Sequence, residues 1–271
     1  MRKIKNTLMI VLCYGIALFH FVPIYILIVV SLKKVGDLSS RWIPPNYLYL
    51  DNYLNALKDG KILKAFNNSL LVAFFAIILV MILGSAAAYP FARMRNRLSK
   101  WLVNIVLGVM MIPSLSVIVP LYSIMLRIKG INSYWGIILV LTTYNLPMSI
   151  FLFTNFIKNI PNEQDEAASL DGCGRFQTFY LIIMPQLQPV IASVLILCGI
   201  KIWNDYKYAM YFLQKPKFET ITLYISKFFS DFSSNMNIAA AAATLAILPV
   251  CIMFLFLQKY FISGLSEGSI K

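Results

Sequence analysis

Long apolar stretches alternate with short polar ones along this chain, and the alternation has the scale of a lipid bilayer. Six windows carry no Asp, Glu, Lys or Arg: 8–32, 69–88, 101–126, 134–157, 176–200 and 238–258. Each reaches the ~20 residues that a helix needs to cross a hydrocarbon core about 30 Å thick. None shows the period-2 alternation of a barrel strand. Backbone groups left unpaired in lipid cost several kcal/mol each, so the windows must be helical. The pattern predicts an all-α integral membrane protein. It forms one transmembrane domain over 1–271, with spans at 8–32, 69–92, 101–126, 134–157, 184–203 and 238–260.

Composition narrows the class. The chain is 59% hydrophobic and 13% charged, with a mean hydropathy of +0.74, about half the charge of a soluble domain. That excludes a soluble enzyme and a disordered chain. The net charge of +13 does not point to nucleic acid, because the bases are scattered over short loops and do not stripe one face. They read better as topology signals. Arg2, Lys3 and Lys5 precede the first span, and Arg93, Arg95, Arg97 and Lys100 follow the second. Both segments are thereby placed in the cytoplasm, and six spans return the C-terminus to the same side. Loop 33–68, with six Lys/Arg, is external on this reading; long loops obey the charge rule poorly. The start MRKIKN leads into an apolar run too long for a signal peptide and without a small-residue cleavage site, so it reads as an uncleaved span. Cys13, Cys173, Cys198 and Cys251 have no CxxC spacing and read as apolar filler, with neither a disulfide nor a metal site.

The spans are not plain anchors. Pro23, Pro113, Pro120, Pro147, Pro189 and Pro249 fall inside charge-free windows, and each frees a carbonyl that neighbours must satisfy. Small residues cluster at 84–88 and 239–243, which lets helices approach closely. Turn 127–133 is built around Gly130, and loop 204–237 is external with charges of mixed sign. His20 reads as a packed neutral histidine, and Lys201 as a cation that snorkels to the interface.

One polar stretch is distinctive: Ile160-Pro161-Asn162-Glu163-Gln164-Asp165-Glu166-Ala167-Ala168-Ser169-Leu170-Asp171-Gly172. Asn162 is a suitable N-cap, acids fill the first turn, and Gly172 is placed to end the helix in a left-handed conformation. The spacing predicts a cytoplasmic helix over 163–171, about 13 Å long. Its physics fits a plug for a socket on another protein and a solvated loop helix equally well.

The order Glu166-Ala167-Ala168, then Gly172, then Ile182-x-Met184-Pro185 resembles the EAA motif of ATP-binding-cassette importer permeases, with Met184 where Leu is usual. Asn68-Ser69-Leu70, Ala87-Ala88-Tyr89, Ala92-Arg93, Ile112-Pro113, Pro120-Leu121-Tyr122, Trp203-Asn204-Asp205 and Gln258-Lys259-Tyr260-Phe261 with Gly264-Leu265 and Gly268 are similar to the carbohydrate-uptake branch, of the smaller maltose-type kind. Asp205 stands where that branch more often has Glu.

The resemblance implies the type I importer permease fold, with both termini cytoplasmic and the cell membrane as location. It implies a second permease subunit, two ATPase subunits that bind ATP and Mg, and an extracytoplasmic solute-binding protein delivering a di- or oligosaccharide. The chain has no phosphate loop of its own, since Asn55 stands where Gly60-Lys61 would need a first glycine. Glu163, Glu166, Ala167, Ala168, Asp171 and Gly172 become the ATPase-coupling residues, loop 204–237 a contact for the binding protein, and the tail after Gly264 a segment near the ATPase. Tyr144, Asn145, Trp203 and Asn204 are candidate linings of the sugar pathway, as aromatic faces beside amides. The alternative, an ion-coupled secondary carrier, requires intramembrane carboxylates, and the charge-free windows hold none. A membrane-embedded enzyme requires a cluster of His, Asp, Glu or Cys that one His and dispersed Cys do not form.

Overall fold

The computed structural model describes residues 2–58, 61–94, 96–230 and 236–269, with side chains placed over 7–58, 61–94, 96–227 and 236–259. Regular structure among them is helical throughout. The main helices are α1 (Arg2–Ser31), α2 (Asp51–Lys58), α3 (Lys61–Arg93), α4 (Arg97–Met110), α5 (Ile118–Arg127), α6 (Tyr134–Asn159), α7 (Glu163–Leu170), α8 (Arg175–Gln177), α9 (Gln188–Trp203), α10 (Lys207–Phe212), α11 (Ile221–Ser230) and α12 (Met236–Ser269). Among the described residues, five helical stretches are long and apolar enough to cross a membrane. The chain folds as two compact units, Met1–Phe66 with Ile221–Leu248, and Asn67–Thr220 with Pro249–Lys271.

In the first unit, α1 ends where side chains take over its last carbonyls. A helix C-terminus leaves C=O groups without partners. Asn52 Nδ2 donates to Ser31 O at 2.7 Å and Lys33 O at 2.8 Å. Asn237 Nδ2 donates to Val30 O at 3.2 Å and Lys33 O at 2.6 Å. Lys33, 3% exposed, turns its ammonium onto Ser39 and Ser40 carbonyls at 3.2 and 2.8 Å. Segment 33–58 is therefore a tied-down structure containing α2, not the open loop expected. Asp37 adds to it: hydrogen bonds from Ser39 and Tyr47 hold its carboxyl at about 2, down from 3.8. What the contact contributes is thus complete above pH 3.8 and lost as pH falls through 2. The N-terminal part of α1 is a different matter. Only 6% of its most apolar window is buried, and His20 is exposed, its Nδ1 on Ile16 O at 2.8 Å. The packed histidine expected at this position is not found: among the described residues this part of α1 is exposed on nearly every side.

The second unit is organised around α3, α6 and α9. Where α3 crosses α6, Gly84 removes the side chain that would block the approach. A Cβ there would lie 2.0 Å from Ser149 Oγ, and Ser149 Oγ donates to Val80 O at 3.1 Å across the contact. The third predicted span, 101–126, is not one helix but α4 and α5, separated by 111–117. Pro113 explains the break, since it has no N–H and bars α conformation from the residue before it. Pro120 lies in the first turn of α5, where its missing donor costs nothing. The turn into α6 uses Gly130 for space and not for φ. Lys129 and Asn132 adopt the positive φ values, 58° and 55°, while Gly136 packs so tightly on Gly130 that a Cβ would meet its carbonyl oxygen at 2.0 Å.

The fifth predicted span, 184–203, begins earlier, as a helical run over Arg175–Trp203. It passes through a π-helical segment at Thr178–Ile183 and a tight 3-10 turn at Met184–Leu187 that contains Pro185. Region 204–237 is largely helical as well, carrying α10 and α11; residues 231–235 of it lie outside the described residues.

Replacing Gly84 by Val should cost about 1–3 kcal/mol, the range for overpacking a filled contact. Thermal unfolding in detergent should show the loss, and Ser149→Gly in the same chain should recover part of it.

Candidate functional site

The acidic stretch does form a short helix, α7, and its C-terminal end has the predicted geometry. Gly172 has φ +84°. The Cys173 N–H reaches Ala168 O at 2.9 Å and the Gly172 N–H reaches Ser169 O at 3.1 Å, the paired bonds of a Schellman cap. The N-terminal end does not follow expectation. Asn162 precedes the helix, but its side chain makes no capping bond. Its Oδ1 instead accepts from Arg93 Nη1 at 2.8 Å.

Arg93, the last residue of α3, organises this end of the unit. The same Nη1 donates to Ile160 O at 2.9 Å and Ile157 O at 3.3 Å, while Nη2 pairs with Asp165 Oδ2 at 2.7 Å. The two side chains are 13% and 19% exposed, so solvent screens the pair far less than it would a surface bridge. Tyr89, one helical turn back, donates its hydroxyl to Asp165 Oδ1 at 2.6 Å and rests its ring 5.3 Å from that of Phe179. On the other side of α7, Gln186 Nε2 donates to Gln164 Oε1 at 2.7 Å. The helix is thereby fixed to α3, to the end of α6 and to the 3-10 turn before α9.

This fixing divides the residues of α7 between two faces. Asp165 and Ala168 turn inward, Ala168 being 5% exposed. Glu163, Glu166, Ala167, Asp171 and Gly172 are exposed, as are Leu170 at 90% and Phe176 at 78%. Ala168, expected to face a partner, packs inside its own chain because the inward stripe of an eight-residue helix needs a small apolar residue there. A cleft of about 680 Å³ opens beside the helix, lined in part by Tyr89, Arg93, Asp165, Glu166, Cys173 and Phe176.

The candidate pathway residues separate. Tyr144 and Asn145 line one apolar groove of about 340 Å³, which Lys201 and Tyr208 also line. Asn145 is buried, its Nδ2 donating to Leu141 O at 2.8 Å within the helix. Lys207 lies 5.0 Å from the centre of the Tyr144 ring and 4.4 Å from that of Tyr208, a cation over two aromatic faces. Trp203 is elsewhere, 7% exposed in the core, and Asn204 is exposed as the cap of α9; neither lines the groove. Asp205 accepts from the Ala209 N–H at 3.0 Å at the start of α10. Burial pushes its carboxyl up from the ordinary value, and those backbone bonds pull it part of the way back.

Arg93 and Tyr89 carry this geometry, and neither was singled out for chemistry from the sequence, where Arg93 served as a topology signal. The available clue was an acid in a short polar helix joined to a basic residue at the end of an apolar span.

The chain matches the model of the binding-protein-dependent transport system inner membrane component family over residues 80–267, and it belongs to that family. It is thus a membrane-embedded permease component of an importer, a transport part and not an enzyme. It is 39% identical over 257 residues to the melibiose/raffinose/stachyose import permease protein MelC of Bacillus subtilis, covering 94% of this chain and 93% of that one. The arabinooligosaccharides transport system permease protein AraQ of the same organism is 30% identical over 261 residues, covering 94% and 92%. Among solved structures, a chain of a bacterial ABC transporter involved in the import of the acidic polysaccharide alginate superposes with a TM-score of 0.85 at 22% identity, covering 96% of this chain and 97% of that one.

At Gly172 nothing lies within 4 Å of an added Cβ, so a substitution there meets backbone strain alone. Gly172→Val should lower thermal stability by about 1–2 kcal/mol, the left-handed penalty for an L-residue. Gly172→Asn should cost clearly less, and equal losses for the two would contradict this account of the cap.

Proposed function

We propose that this chain is one of two permease subunits of an importer that takes up a di- or oligosaccharide, driven by two ATPase subunits that bind ATP and Mg and press on α7. The observation that carries the reading is the face of α7. Glu163, Glu166, Ala167 and Leu170 stand exposed on a helix whose other side is pinned by Arg93 and Asp165. Two exposed carboxylates beside a large exposed apolar side chain suit a basic, hollow partner surface. Such a contact gains from apolar burial at its centre and charge pairing at its rim. Asp171 and Gly172 then set where the chain leaves that surface.

The sugar class is supported by the names of the relatives, which import melibiose, raffinose, stachyose and arabinooligosaccharides. The second subunit is a different permease chain, and an extracytoplasmic binding protein delivers the sugar to the side opposite α7, close to the region 204–237. Within the membrane, Tyr144 and Asn145 border the sugar's path along the groove of about 340 Å³. Trp203 stands in the core at the end of α9, and Asn204 caps that helix.

In the assembled complex, Glu166→Lys should lower retention of the ATPase by about tenfold or more, the scale of setting a like charge against a basic partner surface. Gly172→Pro should abolish binding-protein-stimulated ATP hydrolysis. Copurification and ATPase assays check both, and full retention with normal stimulation in the two variants would remove α7 from the coupling role.

A further inference from the structure

The contacts of Arg93 have a mechanical meaning that depends on the coupling role proposed for α7. An eight-residue helix between two turns transmits force poorly if it can pivot, since loop connections give way before packed helices do. Here one guanidinium spans the joint. It originates on α3, holds the last carbonyls of α6 through Ile157 and Ile160, takes the Asn162 side chain, and pairs with Asp165 on α7. Arginine suits this because its N–H groups lie in one rigid plane and reach several acceptors at once, which a lysine ammonium on a flexible stem does not match. Tyr89 occupies the second Asp165 oxygen, so the carboxylate is held from both sides and is turned away from the exposed face where Glu163 and Glu166 stand. Asn162 gives up its capping role to complete the set.

We propose that Arg93, Asp165 and Tyr89 form a strut that makes α7 and the adjoining ends of α3 and α6 move as one body, so that a push on α7 is delivered to two spans together. The three are positioning residues. Glu163 and Glu166 contact the ATPase, and the strut decides how much of the resulting displacement reaches the membrane.

The test uses the complete complex of permeases, ATPases and binding protein, in a background freed of the native cysteines and carrying Thr143→Cys in the groove as reporter. Maleimide labelling of that cysteine is timed with and without ATP, alongside ATP hydrolysis and the ATPase retained per permease. Arg93→Gln and Asp165→Asn should keep the ATPase attached and hydrolysing, while the ATP-dependent change in labelling rate shrinks on the order of tenfold, within the usual range of coupling between sites. Arg93→Lys should retain more of the change than Arg93→Gln, and Tyr89→Phe should lose the least. A full ATP response in Arg93→Gln and Asp165→Asn overturns the strut, as does a response that falls only in step with lost ATPase, which would mark a folding role alone. A missing ATP response in the unsubstituted chain would instead refute the coupling role of α7, and the strut with it.

Discussion

The ion pair between Arg93 and Asp165 sets the geometry of everything on its side of the second unit. Several polar groups converge there: the last carbonyls of α6, the amide of Asn162 and a carboxylate on α7. Pairs as sheltered as this one carry a desolvation cost that attraction alone often does not offset; excellent geometry and extra hydrogen bonds are what tip the balance. Here those bonds are present, from the guanidinium to three further acceptors and from Tyr89 to the second carboxylate oxygen. The orientation of α7, and with it the choice of which acids face outward, follows from the contacts of one cation.

Irregular backbone interrupts the apolar helices elsewhere, at 111–117 and at 178–187, and each stretch contains a proline. Pro113 separates α4 from α5, and Pro185 sits in the tight turn after a π-helical segment. At membrane depth such breaks survive where the freed groups border a cavity or other helices. Ile112 and Val117, both within the first break, line the groove that holds Tyr144. The break and the groove therefore belong together: the irregular segment supplies a wall that a straight helix would have filled.

Legibility in the sequence tracked the range of the interactions involved. The α7 helix and its glycine terminus could be read because capping is local, settled within a few residues of Gly172. Five of the charge-free windows correspond to long helical stretches for the same reason, since lipid demands helix wherever charge is absent. The window at 101–126 failed because hydropathy does not register a break: 111–117 is as apolar as its flanks, and Pro113 alone carries the information. Some other prolines lie within helices, Pro147 in α6 among them, so a proline by itself does not decide. The Arg93 contacts were out of reach because they join positions 64 to 72 residues apart. Asn162 misled for a related reason. A suitable capping side chain was present, and a stronger donor from another helix claimed it. Trp203 was assigned to a wet surface on residue type, whereas packing placed it in the interior.

The sparse surroundings of α1 bear on how this subunit exists at all. A helix that leaves nearly its whole circumference to lipid and neighbouring chains gains little from intramolecular packing, and helix association in a bilayer relies on close fit, not on the expulsion of water. Its place is thus fixed mainly at one end, by the amides of Asn52 and Asn237 gripping the carbonyls of Ser31 and Val30. The rest of the helix is an unfinished wall, and its completion is a matter of assembly: the subunit folded alone and the subunit in its transporter are different thermodynamic objects.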